Sequence, residues 1–270
     1  MGWLRLTLAS SRFSSYKRVW IHVLPRSVLK ASLQPARLAF DHLVVMTRDE
    51  METRSPRFEA AGYRLSAPGY HNLGSVNRLI VLNSSYIELL GWPAGEAPRR
   101  KEIAAQPIGL DALVFRSDDA QADQQRLQDA GFDVQPVSHL ERPLDFHGSP
   151  QTARFQNVRF NQQPIAGFRV YYCQHLTPEY IWDEELMQHQ NGAKFIQSIV
   201  ITAPDALATA RTLATLVDGD ALVEKEKCTI KLPNLELIVL PAPNAPAASI
   251  QRVMLLHADG NVREFDAYTA

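Results

Sequence analysis

Apolar and polar residues alternate along this chain in short runs broken by turn residues, and three of the runs open alike. Phe40-Asp41-His42-Leu43-Val44-Val45 is echoed by Leu110-Asp111-Ala112-Leu113-Val114-Phe115 and by Phe195-Ile196-Gln197-Ser198-Ile199-Val200. Each copy runs on into a stretch of helical character: Asp49 to Ala61, Asp118 to Ala130, Asp205 to Leu216. The first two stop at Gly62 and Gly131, where a left-handed C-terminal residue is expected. Strand-like segments follow each helix: Tyr63–Ser66, Val76–Leu82 and Tyr86–Leu90; then Phe132–Val137, Thr152–Phe160 and Gly167–Cys173; then Ala221–Glu224, Cys228–Leu232 and Leu235–Leu240. Ser249 to Leu255 reads as the opening strand of a fourth copy that has no room to finish. The pattern predicts an α+β protein built from a recurring βαβββ module. Its expected organisation is an extension over 1–38, paired modules over 39–176, a linker helix over 177–192 and a third module with a truncated fourth over 193–270.

Two of these strands interrupt the apolar pattern with a polar group. Side chains alternate across a strand, so His42 shares a face with Val44 and Met46, and Glu88 shares one with Tyr86 and Leu90. A carboxylate emerging from a half-apolar face needs a compensating charge, hydrogen bonds or a metal, and imidazole is the commonest protein metal ligand. The bland alternative is a satisfied, partly exposed pair.

With the βαβββ repeat, these positions resemble the vicinal-oxygen-chelate superfamily, which includes glyoxalase I and the extradiol dioxygenases. There, paired modules form U-shaped mixed sheets with the helices outside, and metal ligands come from the first and last strands of a module, where His42 and Glu88 stand. The run Gly69-Tyr70-His71-Asn72-Leu73-Gly74-Ser75-Val76-Asn77-Arg78-Leu79 is similar to the signature of the glyoxalase-like domain branch, as are Cys173 to Trp182 and His189-Gln190-Asn191-Gly192.

The resemblance implies a divalent ion (Zn, Ni, Mn or Fe) on His42 and Glu88, joined by His175 if the first and second modules pair, or by Gln197 and Glu236 if the first and third face each other. Ala112 stands where His42 does in the first copy, so the second module offers no ligand from its opening strand. Two ligands and water alone would suit a weakly held ion. Glu88 and His71 are the candidate proton-transfer groups, and Asn77, Arg78, His175 and Trp182 the candidate substrate contacts. For His71 the alternative is a polar loop residue, for Arg78 a pair with an acidic neighbour, for Trp182 a core anchor. The implied activity is isomerase or lyase chemistry on a small oxygenated metabolite, through polarised vicinal oxygens and an enolate-like intermediate. The alternatives are iron-dependent ring cleavage on His42, Glu88 and His175, or a metal-free small-molecule binder, and relatives often complete the site across a homodimer.

Composition narrows the rest. Of 28 Lys+Arg, seven fall in residues 1–40, which hold no acid, so the remaining 21 face 29 Asp+Glu and residues 41–270 carry −8. A body of that sign has no electrostatic reason to hold nucleic acid. The basic, Ser-rich start has the composition of an organellar transit peptide or of a disordered extension, so a cytoplasmic or an organellar location follows. No run approaches the roughly 20 apolar residues of a membrane span. Two cysteines, Cys173 and Cys228, make no disulfide framework. Thr177-Pro178-Glu179 reads as a helix start running to about His189, and Arg99-Arg100-Lys101 as a solvated loop.

Overall fold

Strand β1, Phe40–Arg48, alternates as its sequence requires: Leu43 and Val45 enter one apolar cluster, Val44 and Met46 another on the opposite face. The structure, a computed structural model, describes residues 35–267, so the basic stretch 1–34 and residues 268–270 lie outside the described residues. The first module continues with α1 (Met51–Ala60), β2 (Gly69–Tyr70), β3 (Val76–Val81) and β4 (Tyr86–Gly91), and a short helix α2 (Lys101–Ala104) leads on. The second comprises β5 (Gly109–Arg116), α3 (Ala120–Asp129), β6 (Ser138–Phe146), β7 (Ser149–Val158) and β8 (Arg169–His175). Together they form one eight-stranded mixed sheet, ordered β2-β3-β4-β1-β5-β8-β7-β6. The opening strands β1 and β5 meet antiparallel at its centre, and each pairs in parallel with the last strand of its own module, β4 or β8.

The third module, β9 (Ala193–Ala203), α4 (Ala206–Leu216), β10 (Ala221–Glu224), β11 (Lys227–Lys231) and β12 (Glu236–Pro241), makes a separate six-stranded sheet. The truncated fourth, β13 (Ser249–His257) and β14 (Val262–Glu264), completes it, with β13 antiparallel to β9 as β5 is to β1. The first module thus pairs with the second, not the third.

Asp119 caps α3 by accepting from the Gln121 and Ala122 amides, Asp205 caps α4 by accepting from Ala208, and Gly62 and Gly131 take the expected positive φ. Phe58 of α1, Leu127 of α3 and Leu213 of α4 enter the same cluster as Phe40, Leu43 and Ile199, so one core joins the helices to both sheets. The sheets are also tied at one turn: the Asn234 amide accepts from the Phe40 N–H (2.9 Å) and donates to its carbonyl (2.8 Å). Residues 36–38 belong to this core rather than to an extension, since Ala36 and Leu38 are buried and their amides donate to the Lys231 and Val217 carbonyls.

Several predicted elements differ. Residues 63–66 are irregular, and 132–137 hold only the Val134–Phe160 bridge. Strand β6 is absent from the sequence pattern because it contains Pro143, tolerated here because β6 is an edge. The linker helix is a single turn, Pro178–Tyr180; the Thr177 hydroxyl that would cap it accepts instead from the Arg154 amide (2.9 Å). The rest of 177–192 is a strap: His189 accepts from the Arg64 amide (3.0 Å) and reaches the Val81 carbonyl (2.9 Å), while Asn191 donates to Ala61 (3.0 Å). Across the mouth of the U the two sheet edges touch, the Asn72 amide donating to the Glu141 carbonyl (3.1 Å).

Candidate active site

The site begins at an irregularity. Between Phe40 and His42 the β1–β5 register shifts, so Asp41 is the extra residue of a β-bulge. Ordinary alternation would send Asp41 and His42 to opposite faces; here their side chains meet, His42 Nδ1 lying 2.7 Å from Asp41 Oδ2. The same carboxylate receives His175 Nε2 (2.8 Å) and Arg116 Nε (2.9 Å). Burial alone would raise the Asp41 pKa, but His175 and His42 outweigh it and hold the group well below the usual carboxylate range. A carboxylate only accepts, so the neutral His42 ring carries its hydrogen on Nδ1 and offers the Nε2 lone pair. Nε2 faces the interior of the U, 3.1 Å from the Tyr171 hydroxyl and 3.6 Å from Glu88 Oε2, and the ring stacks on Tyr86 with centroids 4.3 Å apart. Burial, with Glu88 nearby, pushes Tyr171 well above its ordinary pKa, which keeps its proton available as a donor.

Glu88 accepts from Asn77 Nδ2 (2.7 Å). Burial would raise its pKa, yet His42, His71 and the Asn77 bond bring it down, so it is a buried anion held by polar partners. His71 Nδ1 bonds Ser75 Oγ (3.0 Å), which also accepts from Arg100 (3.2 Å), and its Nε2 lies 3.5 Å from the Asn77 amide. Burial, only partly opposed by Glu88 and reinforced by Arg142, Arg100 and Arg159, lowers the His71 pKa to about 4. Because the unfolded chain takes up this proton first, stability should fall as pH drops from about 6.5 toward 4, by roughly 3 kcal/mol from this group. The check is the urea-unfolding free energy at pH 7 and at pH 4.5. His71→Gln should shrink the difference between them without abolishing it, because His189, shifted the same way by burial, and the carboxyls of Glu88 and Glu102, held below their ordinary values, also lose stability toward acid. An equal difference in both proteins would refute the assignment.

The cavity around these groups is nearly filled. Its free volume is about 20 Å³, the space of one water, because the edges of the U meet and Leu140, Phe155 and Ile181 cover it. Three guanidinium groups, Arg100, Arg142 and Arg159, complete the wall. Arg100 comes from the run read as a solvated loop but is buried, its Nε paired with Glu102 (2.8 Å). Arg142 escapes a sequence reading because its strand does, and Arg159 follows β7. Asp41 and Tyr171 are visible in the sequence, but only the bulge and the pairing of modules give them a role.

The other predicted residues fall elsewhere. Asn77 faces inward with Leu79 and Val81, so Arg78 faces out, donating to the Ser66 carbonyl (2.8 Å) and to Glu59 (2.9 Å). Trp182 packs on His175 and Tyr86 under Arg116 and lies outside the cavity lining. Gln197 and Glu236 are exposed on the second sheet. There Ser198 pairs with Glu236 and Val200 with Ile238, so Ser198 and Ile238 take the places of His42 and Glu88, and the one-residue bulge at Gln197 turns it away. His175 meets His42 across Asp41, on the Nδ1 side of the ring, whereas Glu88 lies on the Nε2 side, so the three do not converge on one point.

The donor set tests the implied metal. The β1–β4 register sets His42 opposite Tyr86 and Val44 opposite Glu88; in β5–β8 the matching pairs are Ala112–Arg169 and Val114–Tyr171. Ala112 and a protonated Tyr171 therefore stand where a second imidazole and a second carboxylate would. His42 and Glu88 are two donors where a catalytic zinc takes three from protein, His71 does not cluster with them, and three guanidinium groups stand in the same wall. Asp41, Cys173 and His175 also cluster within 4.8 Å, but Asp41 is already saturated by two imidazoles and Arg116, and burial keeps the Cys173 thiol protonated. Neither set fits a resident ion.

Comparisons with known proteins agree with this architecture. A hypothetical protein from Staphylococcus aureus is similar over 85% of this chain and 99% of its own, at 18% identity and a TM-score of 0.64. A xylose isomerase-like TIM barrel/4-hydroxyphenylpyruvate dioxygenase fusion protein is similar over 83% of this chain at 15% identity and a TM-score of 0.53, the match spanning 38% of that protein. At these identities the likeness is one of fold. No curated protein matches the sequence. Residues 40–217, which run through both site-forming modules, the strap, β9 and α4, match the glyoxalase-like domain, and the chain is a member of that family within the vicinal-oxygen-chelate superfamily.

Proposed function

We propose that this protein catalyses proton transfer at a carbon beside a carbonyl in a small oxygenated metabolite, an isomerase- or lyase-type reaction carried by its own side chains. The supporting observation is the chain Asp41–His42–Tyr171, with Glu88 beside His42 Nε2. His42 Nε2 takes the proton from carbon; Asp41 fixes the tautomer and, with Glu88, favours the imidazolium that forms. Tyr171, released from His42, donates its hydrogen bond to the substrate oxygen as charge develops there. Tyr171 then passes its proton to that oxygen and takes one from the neighbouring hydroxyl, and His42 returns its proton to the hydroxyl-bearing carbon, which gives the isomer and restores the site. Ring cleavage by iron has less support, because His175 does not join His42 and Glu88 at one point. A small molecule is the expected partner.

The test is hydrogen exchange in D2O, followed by NMR over a panel of hydroxyketones and 2-oxo and 2-hydroxy acids, alongside elemental analysis of the purified protein. One panel member should exchange with wild type and at least 10³-fold more slowly with His42→Ala, with metal well below one ion per chain. No exchange anywhere in the panel would leave a binding cleft only. Near-stoichiometric metal that disappears in His42→Ala would replace this mechanism by a metal-dependent one.

A further inference from the structure

Arg142 is the anomaly of the cavity. It is 4% exposed, and among the described residues its guanidinium forms no ion pair or side-chain hydrogen bond, its Nε being buried without any partner. A guanidinium cannot shed its proton to escape burial, so an unpaired one carries a desolvation cost that a bound anion would offset. Room is made for it: a Cβ on Gly69 would sit 2.7 Å from both Arg142 Cδ and Nη1, so a side chain there would have to displace the arm from its path into the U. The Asn77 side-chain oxygen Oδ1 beside it also lacks a partner.

A second observation lies next door. Arg100, Arg159 and Tyr171 form the wall between the nearly filled cavity and an outer basin of about 520 Å³. The basin is lined by Arg99, Arg100, Lys101, Arg159 and Arg169, with Glu102 the one acid. Glu102 is engaged by Arg100, and Arg159 keeps a buried Nε without a partner while its Nη1 donates to Ser138 (2.5 Å). The loop that looks solvated in sequence delivers three of these cations to one hollow.

Resting on the proton-transfer reading of the same site, we infer that the substrate is an oxyanion-bearing carbonyl compound, a carboxylate or a phosphate. Arg142 takes the oxygen on which charge develops, and the Arg100–Arg159 basin takes the anionic group. Arg142 supplies at this point the fixed positive charge that the two-donor set does not obtain from a metal, and it can do so in bidentate fashion.

The probes are oxalate, a planar dianion, and inorganic phosphate, titrated by calorimetry at constant ionic strength against chloride. At least one should bind the full chain at millimolar or lower Kd; Arg142→Met should weaken oxalate at least tenfold, and Arg159→Met should weaken phosphate at least tenfold. Oxalate binding alone identifies a carboxylate substrate, and phosphate binding identifies a phosphorylated one. With no ligand present, Arg142→Met should unfold no earlier than wild type, since a structural arginine would lose packing but an unpaired one loses a burden. If Arg142→Met fails to fold, Arg142→Lys, which keeps the charge and loses the fork, carries the same tenfold test on oxalate. His42→Ala should keep anion binding while losing exchange; anion binding by wild type with no exchange anywhere in the panel would refute the proton-transfer reading alone. Failure of both probes to bind wild type, or equal affinity in wild type and the arginine variants, would overturn the inference.

Discussion

Replacing the Asp41 carboxylate by an amide should slow proton exchange by about 10³–10⁴-fold, although the substitution removes no atom that reaches the substrate. The asparagine side chain would still fill the bulge, but its amide can donate to His42 Nδ1, which reverses the tautomer and puts the hydrogen on Nε2, the nitrogen that must accept. It would also leave Arg116 and His175, now 2.9 and 2.8 Å from a full charge, facing a neutral group. The measurement is the exchange rate of Asp41→Asn per folded molecule, beside the ¹⁵N shifts of His42, which report which ring nitrogen is protonated. A loss below tenfold, or unchanged shifts, would mean that Asp41 is structural only.

The second large effect is on stability. Asp111 of β5 and Arg169 of β8 form a buried ion pair in the second module, with Arg169 Nε 3.1 Å from both carboxylate oxygens and the Nη2–Oδ2 contact completing the fork. Asp111→Ala leaves that buried guanidinium without its carboxylate, with the Tyr171 ring beside it, and should cost roughly 3–5 kcal/mol of unfolding free energy. Asp111→Leu combined with Arg169→Met removes both charges and should recover most of the loss, because a matched apolar pair carries no desolvation penalty. Chemical denaturation of the three proteins decides it. A loss under about 1 kcal/mol in Asp111→Ala would show that water reaches the pair.

Asp41 and Asp111 occupy the same place in two copies of one motif, and that echo carries most of the fold. Repeated openings, helix caps and Gly62 and Gly131 are local signals, readable because each is set within a few residues. The alternation that puts His42 and Glu88 on interior faces is equally local. What is not readable depends on pairing. The bulge that turns Asp41 toward His42 exists only between β1 and β5, and the choice of the second module over the third as partner moves Gln197 and Glu236 out of the site. Pro143 hides the strand that carries Arg142, and the charges of Arg99, Arg100 and Lys101 look like a surface because Arg100 is buried only by distant elements.

The Asn234 clasp on Phe40 has a consequence for reading natural variation. It fixes the backbone immediately before the bulge from a turn 194 positions downstream, on a sheet that contributes nothing to the cavity. A copy of the repeat that no longer holds a site thus sets the aim of the copy that does. Inherited or selected changes around Asn234 would register as defects of chemistry rather than of folding. They would invite a search for a remote effector where there is only a splint.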